Sequence, residues 1–209
     1  MKKIRLRFTA AVSAAVILAG SALPVRAAAA YDSDYTQTVT MESLLIPALM
    51  NPKTNDDGVY RQLYQALRFQ KLTQGSIFDM YQKGVRYPAA ALQKLAADGL
   101  ISTYLYKLMA GLPQGPEDFA PVFNAAYYYA ANPDLAAAGI PYDENTLFVN
   151  FLTSGMQAGR IASAEFNPSY FKINYPQFAA ALGDNPAAWY VFYLIYHEDY
   201  QLDCSRRLG

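Results

Sequence analysis

Trp189-Tyr190-Val191-Phe192-Tyr193-Leu194-Ile195-Tyr196 is eight apolar or aromatic residues in succession. By side-chain preference alone it suits a buried strand, because β-branched and aromatic residues fit a pleated surface. What precedes it argues for a helix. Asp184-Asn185-Pro186 reads as a helix entry: a capping side chain, then a proline whose fixed φ suits the first helical position. An internal repeat supports the same assignment. Residues 123–138 set over residues 166–181, an offset of 43 without a gap, agree at seven of sixteen positions. Beyond these, Leu147, Phe148, Phe151 and Leu152 fall opposite Tyr190, Val191, Leu194 and Ile195. The first copy reads as helical, so the second follows it.

Working back through copy one, Asn132-Pro133 looks like another cap-plus-proline entry, to a short helix ended by Gly139. Asp143 or Asn145 is expected to cap a longer helix from about residue 144 to 154, closed by Gly155 in the left-handed conformation. Upstream, Tyr60, Leu63, Tyr64 and Leu67 recur at helical spacing behind Asp56-Asp57-Gly58. A second helix is read as entered at Ser76 and stopped by Gly84, a third as opened by Pro88, and a fourth as running from Leu100 to Met109. Residues 111–116, Gly-Leu-Pro-Gln-Gly-Pro, are the clearest break. The fold expected is therefore all-α: an N-terminal helical region over 31–115, then residues 116–209 with two packed repeats of about 43 residues, copies 123–160 and 166–203.

The first thirty residues read differently. Lys2, Lys3, Arg5 and Arg7 precede an apolar stretch from Phe8 to Gly20, and small residues follow. This is the pattern of a secretory signal peptide, with cleavage sites fitting at Val25-Arg26-Ala27 or Ala27-Ala28-Ala29. The expected location is secreted or at the extracellular cell surface, with membrane contact only through an uncleaved signal. Chain ends are expected to be loosely held, both near Tyr31 to Thr38 and at the C-terminal tail carrying Cys204.

Past Ala27 there are 12 basic and 17 acidic residues, a formal −5. That balance argues against a nucleic-acid partner, which draws a basic face to its phosphates. One His and one Cys cannot build a Cys/His zinc site or an internal disulfide framework.

His197-Glu198-Asp199 is the one place where His meets carboxylates, but neighbours in sequence point apart on a helix. Asp56-Asp57, Glu117-Asp118 and Asp143-Glu144 are paired acids, each where a cap or turn is expected. Asn55-x-Asp57-Gly58 resembles part of a calcium loop, but Lys53 and Tyr64 stand where carboxylates would be needed, so it reads as a turn. No catalytic, metal or cofactor-binding residue is assigned. The tyrosines remain. Most are expected in the core with hydroxyls at its rim, and Tyr129, Tyr142 and Tyr200 are the candidates for an exposed aromatic binding surface.

Phe123-Asn124, Tyr127-Tyr128, Pro133-Asp134-Leu135, Asn150-Phe151, Gly155-Met156 and Gly159-Arg160 occur in an order that resembles a tandem repeat module of secreted and cell-surface proteins of gut Firmicutes. The resemblance covers residues 120–201. Copy two departs from it at Gln177, where the module has Asp, and at Glu198-Asp199, where it has Gly-Met. The resemblance implies an exported, Gram-positive, non-catalytic accessory role, with a cell-wall polysaccharide or a surface protein as partner. The alternatives are a scaffold without a dedicated ligand and an enzyme acting on cell-wall glycan.

Overall fold

The computed structural model describes residues 56–69 and 72–208, together with the backbone of two short segments, Ala15–Leu18 and Ser21–Pro24. Those two segments (β1 and β2) pair antiparallel within the stretch read as a signal peptide. The rest of the signal stretch and the linker near Tyr31 lie outside the described residues.

The folded body is all-helical, as the sequence predicts. Ten α-helices follow in order: α1 Asp56–Arg68, α2 Gln74–Gln82, α3 Ala89–Ala97, α4 Thr103–Ala110, α5 Ala125–Ala131, α6 Asp134–Ala137, α7 Glu144–Asn150, α8 Pro168–Asn174, α9 Pro176–Leu182 and α10 Pro186–Tyr200. A 3-10 turn, Pro116–Phe119, separates α4 from α5, and α7 runs on into a π turn, Phe151–Gly155.

Local chemistry explains most boundaries. Asp56 and Asp57 sit in the first turn of α1, where acids suit the positive end of the helix, so Gly58 is helical and the turn expected there is absent. Thr73, not Ser76, enters α2: its Oγ1 accepts from the Ser76 amide at 3.2 Å. Pro88 stands one residue before α3, with extended backbone. Asn185 caps α10 as read, accepting from the Ala187 amide at 3.1 Å. Asn132 does not cap α6. Its amide instead donates to Tyr128 O at 2.7 Å and Ile161 O at 2.9 Å, fastening the end of α5 to the chain beyond Arg160.

Gly155 also departs from its expected role. It is buried in the π turn, and Gly159, with φ of 65°, takes the left-handed position. A Cβ on Gly155 would lie 2.5 Å from the Tyr128 hydroxyl, so glycine is required there by close approach. The wider π spacing is supported by hydroxyls: Thr153 donates to Val149 O at 2.8 Å and Ser154 to Asn150 O at 3.0 Å.

The core is organised around α10. Every residue from Ala187 to Tyr196 is buried, so the helix is apolar on all sides. On one side Tyr190 meets Phe151 and Phe166 edge-on, with ring centroids 5.4 and 4.9 Å apart. On another, α10 packs on α2. Gln74, buried, donates to Ile195 O at 2.8 Å and accepts from the Ser102 amide at 2.9 Å, joining α2, α10 and the start of α4. Tyr196 donates to Asp79 at 2.5 Å. One continuous apolar cluster thus extends from Val59 to Cys204, on both sides of the break at residues 111–116.

The tail beyond α10 is not loose. Asn167 N donates to Cys204 O at 2.8 Å, the Asp203 amide donates to Tyr175 Oη at 2.9 Å, and Asn174 donates to Arg206 O at 2.8 Å. Cys204 is fully buried, and burial pushes its thiol up to about 12. The loosely held C-terminal tail expected from the sequence is corrected by this docking. A thiol reagent should modify native Cys204 at least about a hundredfold more slowly than the denatured chain, because attack needs local opening. Equal rates in buffer and in denaturant, measured by mass spectrometry, would show that the tail is undocked in solution.

Candidate functional site

Tyr129 lies on α5, whose entry is set by Asn124: the side chain accepts from the Tyr127 amide at 2.9 Å. Asn167 does the same for α8, accepting from the Ser169 and Tyr170 amides at 2.9 and 3.3 Å. The backbone amides of both asparagines pair with returning strands of chain, Asn124 with Ala162 O at 2.7 Å and Asn167 with Cys204 O at 2.8 Å.

Tyr142 lies in the connection between α6 and α7. Gly139, with φ of 75°, ends α6 and turns the chain outward. Asp143 starts α7 by accepting from the Thr146 amide at 2.8 Å, and this bond holds its carboxyl below the ordinary range. Between these two fixed points the chain presents Tyr142, 64% exposed. Its ring stands edge-to-face on Tyr129, with centroids 5.4 Å apart at 64°. Tyr129 is half-buried and its hydroxyl donates to Ile140 O at 3.3 Å. One ring therefore forms a fixed wall, and the other extends from it into solvent.

The base of this loop is clamped. Arg160 donates twice to Asp134, at 2.9 and 2.7 Å, and reaches Asn132 Oδ1 at 3.4 Å. The guanidinium lowers the Asp134 carboxyl, and the pair is the planar two-point geometry in which arginine is most specific. Pro133-Asp134 and Gly159-Arg160 both stand out as motifs in the sequence, but nothing in their spacing says that the charges meet.

Tyr200 belongs to a different set. It sits at the end of α10, 36% exposed, with its ring against Phe178 at 5.2 Å and Tyr196 at 5.9 Å. The structure pairs Tyr129 with Tyr142 and places Tyr200 among the core aromatics of copy two. Tyr127, 40% exposed on α5, is an exposed tyrosine the sequence reading did not single out.

The paired acids have structural roles. Asp57 pairs with Lys94. Asp118 is buried and accepts from the Gly115 amide at 2.7 Å and from Lys107 at 2.6 Å, with Glu117 on the same ammonium at 3.0 Å. His197 is tied through Nδ1 to Tyr193 O at 2.7 Å and stacks on the Tyr193 ring at 4.8 Å. Asp199, next but one, turns away to α2: it accepts from the Gly75 amide at 2.9 Å, and burial raises its carboxyl above the usual range. Among the described residues no three of His, Cys, Asp and Glu come together as a metal would need, and no helix is long and apolar enough to cross a membrane. Comparison with protein-family models, with curated proteins and with solved structures found no match.

Proposed function

We propose that the chain is an exported, non-catalytic binding module of the cell surface or the surrounding medium, built on a duplicated helical unit. Its ligand is a cell-wall or host polymer or a partner protein, and it is held at the Tyr129–Tyr142 pair. The observation that carries this reading is the pair itself. A large ring, 64% exposed, costs solubility unless it is used, and here a second ring and two helix termini fix its position. Export is supported by the basic-then-apolar start of the chain and its small-residue sites near Ala27. The non-catalytic reading is supported by the commitment of Asp57, Asp118, Asp134 and Asp143 to ion pairs and caps.

Tyr142→Ala should leave folding unchanged and weaken capture on purified peptidoglycan, host glycans or a partner by at least about tenfold, the loss typical of a central aromatic contact. Equal retention of wild type and variant would remove the pair from the reading. The second reading is a scaffold without a ligand. It is supported by the burial of Tyr104, Tyr128, Tyr190, Tyr193 and Tyr196, rings that serve as core material.

A further inference from the structure

Resting on that reading of the Tyr129–Tyr142 pair, we propose that its occupant is a basic segment of a partner polypeptide, with a lysine or arginine side chain laid over the Tyr142 ring.

Charge is the first argument. No Lys or Arg occurs from Leu108 to Gly159, while Glu117, Asp118, Asp134, Asp143 and Glu144 all do. The cations bounding this stretch are already engaged: Lys107 by Glu117 and Asp118, Arg160 by Asp134. Asp143 and Glu144 follow Tyr142 directly and have no ion-pair partner among the described residues. Asp143 keeps its negative charge because the Thr146 amide stabilises it. An exposed ring followed in the chain by two carboxylates outside any described ion pair attracts a cation and repels an anionic polymer.

Cation–ring contacts elsewhere in the chain, over half-buried Tyr60 and Tyr81 and buried Trp189, give the second argument. Arg86 lies over Tyr81 at 4.6 Å, Lys172 over Trp189 at 5.0 Å and Lys94 over Tyr60 at 5.6 Å. Each of these rings is covered by a cation from its own chain. Among the described residues Tyr142 has one ring contact, with Tyr129, and no cation over it, so a cation can be supplied from outside. A lysine or arginine side chain brings both a cation for a ring face and N–H donors for a carboxylate. A quaternary ammonium, which cannot hydrogen-bond to Asp143 or Glu144, gains less there.

The test is a titration of the full exported chain followed through the ring proton signals of Tyr129 and Tyr142. The probes are a short Lys/Arg peptide, an acidic peptide of equal length, tetramethylammonium and a neutral N-acetylglucosamine oligomer. The basic peptide should shift both rings. Its affinity should fall about threefold to tenfold in Asp143→Asn/Glu144→Gln, where asparagine still caps the helix, and should fall again at salt that shortens the Debye length below ~10 Å. If the neutral oligomer or tetramethylammonium shifts the rings and the basic peptide does not, the aromatic site stands and the basic partner is refuted. Binding of the acidic peptide equal to the basic one also refutes it. If no probe moves either ring, this inference fails while the capture experiment on Tyr142→Ala still decides the broader reading.

Discussion

Raising the pH past ~10 should unfold this protein cooperatively. Burial pushes up the dissociation of core groups that include the phenols of Tyr104, Tyr190, Tyr193 and Tyr196 and the thiol of Cys204, the last to about 12. At Tyr196 the Asp79 carboxylate adds to the effect. In the unfolded chain the thiol titrates near ~8.5 and the phenols near ~10. Between those values and the higher folded ones the native state holds more protons than the unfolded state, so stability falls as pH rises. It is fully present below ~8.5, begins to be lost through the thiol, and is then lost faster through the phenols. Each group in its window costs about 1.4 kcal/mol per pH unit, so four phenols together cost about 5 kcal/mol across one unit. That is comparable with the whole stability of a domain, typically 5–15 kcal/mol. Helix content and phenolate absorbance, followed in parallel, should change together in one steep step. Smooth titration of all tyrosines near ~10 with helix content intact would mean that the phenols are not buried as described.

Gly75→Ala should destabilise the protein by about 1–3 kcal/mol, the usual cost of overpacking. The sign is informative, because glycine to alanine within a helix normally gains roughly 0.5–1 kcal/mol. At this position the added Cβ would fall on Asp199 Oδ2 and lie within 2.6 Å of Tyr196 Cδ1 and Cε1. The Tyr196 ring cannot step aside: it is buried, stacked on Phe192 at 4.7 Å and tied to Asp79. Chemical denaturation of the variant gives the magnitude. A variant as stable as the parent or more so would show that α2 and α10 do not approach as closely as the coordinates place them. Val or Leu at the same position should be worse in order of size.

The sequence carried the helices well and their contacts poorly, for identifiable reasons. Asn185-Pro186 decided the state of the aromatic run at residues 189–196 because a cap is a local device, readable from neighbours alone. Asn124 and Asn167 act in the same local way. Asn132 misled because a cap and a long-range clip use the same residue type, and only the fold tells which acceptor its amide meets. Gly155 misled because glycine serves both left-handed backbone and close approach, and Tyr128 is 27 positions away in the chain. Gln74 and Asp199 gave no signal at all, since their partners lie more than a hundred residues off. Of the three tyrosines singled out, Tyr142 is the most exposed, Tyr129 is the half-buried wall beside it, and Tyr200 borders the core. Their grouping depended on where the α6–α7 loop turns, which no periodicity encodes.

α10 comes later in the chain than the nine helices it stands among, so a ribosome makes it after all of them. Until it emerges, Phe78 on one side and Phe151 and Phe166 on the other lack the rings of Tyr196 and Tyr190 that pack on them. The earlier helices that pack on one another can meet before then. Closure of the shared apolar core therefore waits for the last helix to be made.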